Sequence, residues 1–283
     1  METDIRFILN ENEIHTTINP SVVLLDYIRK SKKLTGTKEV CKEGDCGACT
    51  ILLGEITEKG IKYKTINSCL FPIQKVNGNH VVTIEGLNAN ELNLIQGEFL
   101  NQGASQCGFC TPGFIVSLTG YLLNSEKPIY EEAINSIAGN ICRCTGYNSI
   151  KKSVGNVLSA FNPDKHFIEN RLDYLVKNNI LPKYFIKIEE NLKLLNSKSQ
   201  IINSKITKES VFIGGGTDLF VQKPETLLKS EINFIQNIPK NKIEINKEIL
   251  KIHSSTTIEE FKNFIQKENL AFNLSKLFKL FAS

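Results

Sequence analysis

The stretch CKEGDCGACT, Cys41–Thr50, places three cysteines and two glycines within ten residues. Cys41, Cys46 and Cys49 follow a C-x4-C-x2-C spacing, and Cys69 comes after 19 further residues. This is the plant-type spacing of the four thiolates that hold a [2Fe–2S] cluster. The two glycines permit loop conformations that are closed to other residues, so backbone N–H groups can approach the sulfurs. Zinc is the alternative metal, but its sites favour Cys pairs with about two to four intervening residues, a pattern that this loop fits poorly.

A second set of four cysteines has a different pattern. It lies in QCGFCTPG, Gln106–Gly113, and in GNICRCTGY, Gly139–Tyr147, with the spacing C-x2-C-x31-C-x-C. A Cys-x-Cys pair is too short for an easy internal disulfide, but its two thiols can reach one cluster from two sides. We therefore predict a second [2Fe–2S] cluster, held between helix ends by four ligands: Cys107, Cys110, Cys142 and Cys144.

Composition sets the protein class. The 283 residues suffice for two or three small domains, and 41% hydrophobic with 23% charged residues is ordinary globular composition. The net charge of +4 gives no dense basic patch for nucleic acid, and no apolar run is long enough to span a membrane. The N-terminal residues METDIRFILN do not resemble a secretory signal, so we expect the cytoplasm. Thiols there are reduced, which favours metal ligands over disulfides.

The flanking sequence predicts a ferredoxin-like β-grasp domain over residues 1–88. The stretch DIRFILNENEIHTTI predicts a hairpin that turns at Asn10–Asn12. A helix is expected in SVVLLDYIRKSKKLTG, with Ser21 as its cap, Gly36 at its end and Leu24, Leu25 and Ile28 on one face. Strands are expected in TILLGEI, KYKTINSCLFPI and HVVTIEGL.

Four helical stripes predict a helical cluster-binding domain over residues 89–162. Pro112 suits a first helical turn, and Gly139 suits a C-terminal stop. The four stripes consist of these apolar residues: Leu92, Ile95 and Phe99; Phe114, Ile115, Leu118 and Leu122; Ala133, Ile134 and Ile137; and Ile150, Val154, Val157, Leu158 and Phe161.

The remaining sequence is read as a linker, 163–195, followed by a phosphate-binding region, 196–283. In ESVFIGGGTDLFVQK, Glu209–Lys223, an apolar strand enters the glycine turn Gly214, Gly215 and Gly216. Such a turn lets backbone N–H groups approach a pyrophosphate, and Thr217 adds a hydroxyl beside Asp218. The four histidines, His15, His80, His166 and His253, have no ligand spacing and are read as surface or structural residues.

The two cysteine patterns in this order resemble the iron–sulfur region of the molybdenum hydroxylases, the xanthine dehydrogenase and aldehyde oxidase family. The resemblance covers about residues 1–160. It implies two [2Fe–2S] clusters that relay electrons from a molybdenum–pterin centre on a partner subunit to flavin. It also implies that Gln106 and Cys144 lie next to that pterin. The glycine turn resembles the part of the family's FAD domain, of the vanillyl-alcohol oxidase/CO dehydrogenase flavoprotein type, that contacts the flavin diphosphate.

The resemblance therefore implies an α+β multidomain fold and a hetero-oligomer with a molybdopterin-binding large subunit. No catalytic acid or base is expected on this chain, because substrate oxidation belongs to the molybdenum centre, and NAD is the expected acceptor. The family's second glycine-rich flavin motif does not occur in the sequence. We thus expect a flavin domain truncated within its fold, which would not enclose FAD tightly. Clusters and flavin on one chain favour a purine-oxidising member; another molybdenum hydroxylase and a free-standing two-cluster carrier are the alternatives.

Overall fold

The computed structural model describes residues 2–161, 170–197, 210–234, 242–246, 249–268 and 278. The chain divides into two compact units, Met1–Ile201 and Ile202–Ser283. Each unit is described separately below. Three features of the sequence analysis lie outside the described residues: His166, the start of the predicted linker at 163–169, and the terminal stretch 275–283 apart from residue 278.

The first unit is built on a five-stranded mixed sheet with the order β2-β1-β5-β3-β4. The predicted hairpin is confirmed, with Phe7 opposite Ile14 and a left-handed Asn10 at the turn. β1 and β5 pair in parallel, whereas the other neighbouring strands are antiparallel. This topology has the β-grasp form. The strands are β1 Thr3–Leu9, β2 Asn12–Ile18, β3 Thr50–Thr57, β4 Gly60–Asn67 and β5 His80–Val82.

A short helix covers one face of this sheet. α1, Leu24–Asp26, continues as a π-helical turn over Tyr27–Ser31, and its apolar side chains pack against those of β1, β3 and β5. The predicted face is confirmed, but the predicted ends are wrong. Val23 precedes the helix because it forms a β-bridge with Pro72, which keeps the chain extended beyond Ser21. The helix ends before Gly36 because Lys33 adopts a left-handed conformation.

Four helices follow, as the apolar stripes predict. Pro112 lies in the first turn of α3, and most of the predicted stripe residues are buried. Leu92 is an exception, because α2 begins only after Asn93, whose side chain forms a capping box with Gln96. α4 ends before Gly139. The helices are α2 Leu94–Asn101, α3 Thr111–Asn124, α4 Tyr130–Ser136 and α5 Asn148–Ala160.

The sheet and the helices share one hydrophobic core. On the second face of the sheet, Leu52, Tyr63 and Val82 belong to the same buried cluster as the apolar residues of α2, α3 and α5. A Cβ at Gly120 of α3 would lie 2.9 Å from a Leu52 methyl carbon, so this helix packs directly on the strands. The regions predicted over 1–88 and 89–162 therefore lie within one compact unit.

The segment predicted as a linker contains two helices in its described part. These are α6 Arg171–Lys177 and α7 Phe185–Ser197. Phe185, Ile188, Leu192 and Leu195 of α7 are buried, and the last three pack with Ile8 of β1. Their spacing gives α7 one apolar stripe, which packs against β1 and β3 on the sheet's second face. The described part of the predicted linker, from residue 170 on, thus belongs to the first unit and differs from a simple connector.

His80 lies in an aromatic environment between β5 and α7. Its ring is buried, Nδ1 lies 2.8 Å from the Tyr63 hydroxyl, and Nε2 lies 2.8 Å from the carbonyl oxygen of Asn10. The Phe185 ring packs against it at 5.6 Å. Burial lowers the pKa of His80 to about 3, against the opposing effect of the bond to Asn10. The structural role predicted for this histidine agrees with its position.

Acid is expected to destabilise the first unit through His80. The unfolded chain gains a proton on this residue below about pH 6.5, while the folded chain stays neutral to about pH 3. The stabilisation is therefore complete above pH 6.5 and falls by about 1.4 kcal/mol per pH unit as the pH drops toward 3. The melting temperature should fall less between pH 7 and pH 5 in His80→Gln than in the parent. His15→Gln, an exposed control, should behave like the parent, and equal falls in all three proteins would disprove the role of His80.

The second unit also combines helices and strands. β6 and β7 pair in parallel, with Phe212 opposite Asn233, and β8 and β9 form an antiparallel hairpin. The glycine turn links β6 to α8. The described elements are β6 Val211–Ile213, α8 Thr217–Gln222, α9 Pro224–Lys229, β7 Ile232–Phe234, β8 Ile243–Asn246, β9 Ile249–Ile252 and α10 Ile258–Glu268.

Candidate metal centres

The first cysteine loop lies between the π-helical turn and β3. Gly44 and Gly47 have φ angles of +81° and +67°, so both adopt the left-handed conformation that the sequence predicts for them. The fourth cysteine, Cys69, lies in a 3-10 turn directly after β4. Because β3 and β4 pair up to Thr50 and Asn67, this turn is held beside the end of the loop.

The four thiols of the first set form two interacting pairs. Cys41 and Cys46 influence each other's pKa through their side chains, and so do Cys49 and Cys69. The bond from Cys69 lowers the pKa of the Cys49 thiol to about 7, although burial opposes it. The same bond, with burial, raises the pKa of Cys69. A metal that binds these pairs would do so as thiolates and would displace any thiol protons.

Backbone amides point at these sulfurs. The Glu43 N–H donates to Cys41 Sγ over 3.5 Å, and the amide of Gly44 donates to the Cys69 sulfur. Partial burial opposes ionisation of Cys41, but the amides of Glu43 and Cys46 outweigh it and lower the pKa of the thiol. Amides that stabilise thiolates also stabilise added electron density on a cluster, so this loop fits a redox centre.

The second cysteine set is brought together from two helix connections. Cys107 and Cys110 lie between α2 and α3, and Cys142 and Cys144 lie between α4 and α5. The Cys107 and Cys144 sulfurs are 3.5 Å apart, and the Cys110 and Cys142 side chains influence each other's pKa. The two members of the Cys-x-Cys pair thus contact different partners. Sequence spacing alone does not specify this pairing.

Neighbouring polar groups hold Cys142. Its sulfur lies 3.1 Å from the Thr145 hydroxyl, and its N–H donates to the Tyr147 hydroxyl over 2.9 Å. Burial of Cys142 opposes its ionisation, but hydrogen bonds, that with Thr145 among them, lower the pKa of its thiol. The pKa of Cys110 is instead raised to about 12, first by burial and then by the interaction with Cys142. Sequence analysis did not single out Thr145 and Tyr147. Their only signal was their place in the CRCTGY motif.

The two cysteine sets differ in exposure. Cys49 and Cys69 are buried, whereas Cys107 and Cys144 are exposed at the protein surface. Gln106, next to Cys107, is exposed as well. The second set therefore has an open edge that a further molecule can approach.

The cysteine pairs can be compared with the needs of a two-iron cluster. Among the described residues, which include all eight cysteines, no group of three candidate ligands is close enough to hold a single metal ion. A [2Fe–2S] cluster takes two thiolates on each iron. The two cysteine pairs in each set match that requirement.

The two sets meet at one joint in the first unit. The Ile141 N–H, next to Cys142, donates to the carbonyl oxygen of Cys46 over 3.0 Å. The Asn140 side chain donates to the carbonyl oxygen of Gly47 over 2.9 Å. The cysteine loop of the sheet and the second cysteine pair of the helices are therefore in direct contact.

The predicted phosphate-binding turn is in the second unit. It leads from β6 into α8, and Gly216 has a φ of +87°, so an L side chain there would be strained. A Cβ placed on Gly215 would meet no heavy atom of the described residues within 4 Å, whereas one on Gly216 would lie 2.8 Å from an Ile213 methyl carbon. Thr217 and Asp218 lie in the first turn of α8. Among the described residues, the turn is therefore open at Gly215.

Comparison with known proteins supports the cluster assignment. A family model described as a [2Fe-2S] binding domain matches residues 83–155. Xanthine dehydrogenase of Emericella nidulans is 43% identical over 150 residues, which cover 52% of this chain and 11% of that protein. Aldehyde oxidase 1 of Rattus norvegicus is 36% identical over 148 residues, which cover 51% of this chain and 11% of that protein. The chain thus spans about a tenth of the length of these curated relatives.

A solved structure decides the family. Quinoline 2-oxidoreductase from Pseudomonas putida 86 contains a chain that is 33% identical, with a TM-score of 0.50, and the match covers 95% of that chain and 56% of this one. The chain belongs to the xanthine dehydrogenase and aldehyde oxidase family of molybdenum hydroxylases. The predicted resemblance is confirmed over the N-terminal half, which contains both cysteine sets. The predicted α+β class is confirmed, and so is the presence of a [2Fe–2S]-binding domain in this molybdenum hydroxylase chain.

Proposed function

We propose that this chain is the electron-transfer subunit of a xanthine dehydrogenase. The observation that carries the proposal is the presence of two cysteine sets, each split into two thiol pairs, on a sheet and a helix bundle that share one core. Bound [2Fe–2S] clusters supply one-electron transfer. The proposed ligands are Cys41, Cys46, Cys49 and Cys69 for the first cluster, and Cys107, Cys110, Cys142 and Cys144 for the second.

The chain itself fixes and tunes these sites. The amides of Glu43 and Gly44 stabilise negative charge on the first set, and Thr145 does so on the second. Burial of Cys49, Cys69 and Cys142 keeps water from these sulfurs. Residues 1–88 and 89–162 are the proposed cluster-binding regions. The flavin region, expected over 196–283, is proposed to lie within the second unit, Ile202–Ser283.

The second unit is the proposed flavin region. The backbone at Gly214, Gly215 and Gly216, together with Thr217 and Asp218, is proposed to hold the FAD diphosphate. What supports this is a turn after a parallel strand that is left-handed at Gly216 and that the described residues leave open at Gly215. FAD would pass electron pairs to NAD, the proposed acceptor.

Gly215→Val is expected to lower the amount of flavin that the chain takes up when FAD is supplied in excess. The new side chain would enter space that the described residues leave open within 4 Å of its Cβ, beside the proposed diphosphate. The melting temperature should hardly change, since substitutions at such sites cost about 0.5 kcal/mol or less. Flavin absorbance per chain measures the effect, and Lys229→Ala in α9 is the control. Flavin retained in Gly215→Val would exclude the turn as the binding site.

The partner is proposed to be a molybdopterin-binding large subunit, giving a cytoplasmic hetero-oligomer. Support comes from the open edge at Gln106, Cys107 and Cys144, which leaves the second cysteine set accessible from outside the chain. Gln106 and Cys144 would lie against the pterin. Within the described residues, no helix combines the length and apolar character needed to cross a membrane.

The substrate separates two candidate functions. Xanthine dehydrogenases among the relatives reach 43% identity and aldehyde oxidases 38%, and this small difference is what favours purine oxidation in the proposal. The nearly complete coverage of the quinoline enzyme's chain supports the alternative, the iron–sulfur subunit of another molybdenum hydroxylase.

The test is anaerobic reduction of the native complex, isolated with this chain. Its iron–sulfur signals are followed by electron paramagnetic resonance after addition of xanthine, an aldehyde or quinoline. Reduction by xanthine alone is expected. Reduction only by an aldehyde or quinoline would establish the alternative, and purification without any large partner would favour a free-standing carrier.

A further inference from the structure

Asn140 lies between α4 and the Cys142–Cys144 segment, and its side chain is buried. Its Nδ2 donates to the carbonyl oxygen of Gly47 over 2.9 Å and lies 3.4 Å from the Thr50 hydroxyl. The Thr50 hydroxyl donates to the same carbonyl oxygen over 2.7 Å. One amide therefore ties the segment before Cys142 to the turn between Cys46 and Cys49.

The next residue makes a second tie. Ile141 N–H donates to the carbonyl oxygen of Cys46 over 3.0 Å. Two successive residues before Cys142 are thus bonded to two successive residues of the first cysteine loop. The joint restrains translation as well as rotation of one segment on the other, because it has two points of attachment.

Glycines allow the close approach at this joint. A Cβ on Gly47 would lie 2.5 Å from Asn140 Nδ2 and 2.5 Å from the carbonyl oxygen of Gly139. A Cβ on Gly113, in the first turn of α3, would lie 2.9 Å from Asn140 Nδ2 and would clash with the carbonyl oxygen of Gly47. Three backbone segments therefore meet around one amide, with no space for a side chain.

We propose that Asn140 is a positioning residue that fixes the Cys46–Cys49 turn against the Cys142–Cys144 segment and so sets the separation of the two clusters. The inference rests on the proposed two-cluster function. The buried amide has a donor that no hydrophobic residue can replace, and its acceptor lies in the other cysteine loop. Without this bond, the two cysteine sets keep their own thiol pairs but lose their fixed spacing.

The test compares Asn140→Asp and Asn140→Ala with the parent chain. Asn140→Asp keeps the volume but removes the donor, and Asn135→Ala, an exposed position of α4, is the control. Iron and sulfide contents establish first whether the parent holds two clusters. The spin–spin splitting between the reduced clusters, which falls with the cube of their separation, is then measured by low-temperature electron paramagnetic resonance. We expect both variants to keep their iron but to show reduced or broadened splitting.

Different results separate the two claims. A parent chain without two clusters refutes the proposed function itself. Two clusters with unchanged splitting in both Asn140 variants overturn the positioning role alone, and so does loss of a single cluster with the other unchanged. Should Asn140→Ala fail to fold, Asn140→Asp and Gly113→Ala decide, since the added methyl of the latter would crowd both the Gly47 carbonyl oxygen and Asn140 Nδ2 and so disturb the same contact.

Discussion

Replacing Cys69 with serine is expected to abolish the ferredoxin-like cluster and to leave the helical cluster in place. Cys69 is the only one of the first four cysteines outside the 41–49 loop, and it pairs with Cys49. Without it, one iron lacks a thiolate, so iron should fall from about four to about two per chain. One of two signals of the reduced protein should disappear in electron paramagnetic resonance.

Cys142→Ser is the matched variant for the second set. Its thiol pairs with Cys110, in a different part of the first unit, so only the other signal should be lost. The spin–spin splitting should vanish in both variants, because each retains a single cluster. Two intact signals in either variant would contradict the proposed ligand sets.

Replacing Phe185 with alanine is expected to lower the unfolding free energy by about 3–5 kcal/mol, the usual cost of removing a buried phenylalanine side chain. Its side chain is fully buried, and its ring lies 5.8 Å from that of Tyr63 and 4.7 Å from that of Tyr184. For a chain of this size, such a loss lowers the melting temperature by roughly 10 °C.

The neighbouring residue provides the control for Phe185. Ile186 is 52% exposed on the same helix, so Ile186→Ala should cost below about 1 kcal/mol. Similar small shifts in the two variants would show that the segment before Ser197 is a loose connector. A large shift in Phe185→Ala alone would establish that α7 belongs to the core.

Local signals predicted much of the fold and of the metal site. The hairpin at Asn10, the helix stripes and the left-handed Gly44 and Gly47 all follow from residues close together in sequence. The division of eight cysteines into two sets also follows from spacing. These features depend on backbone preference and short loops, which a sequence carries directly.

Features that depend on distant residues could not be predicted in this way. The burial of His80 requires α7, about a hundred residues later, and the packing of α7 requires the sheet's second face. The link between Asn140 and Gly47 joins two motifs that each look complete alone. Residues 163–195 read as a linker, because nothing local in the sequence indicates the surface that the apolar stripe of α7 covers.

The central claim is that the eight cysteines hold two [2Fe–2S] clusters, and chemical analysis of the anaerobically purified chain tests it most directly. Iron, acid-labile sulfide, zinc and flavin are measured together, and a spectrum of the reduced protein is recorded. The account predicts about four irons and four sulfides per chain, with two distinct reduced signals. Zinc without sulfide would contradict it and would leave a structural metal module in place of an electron-transfer chain.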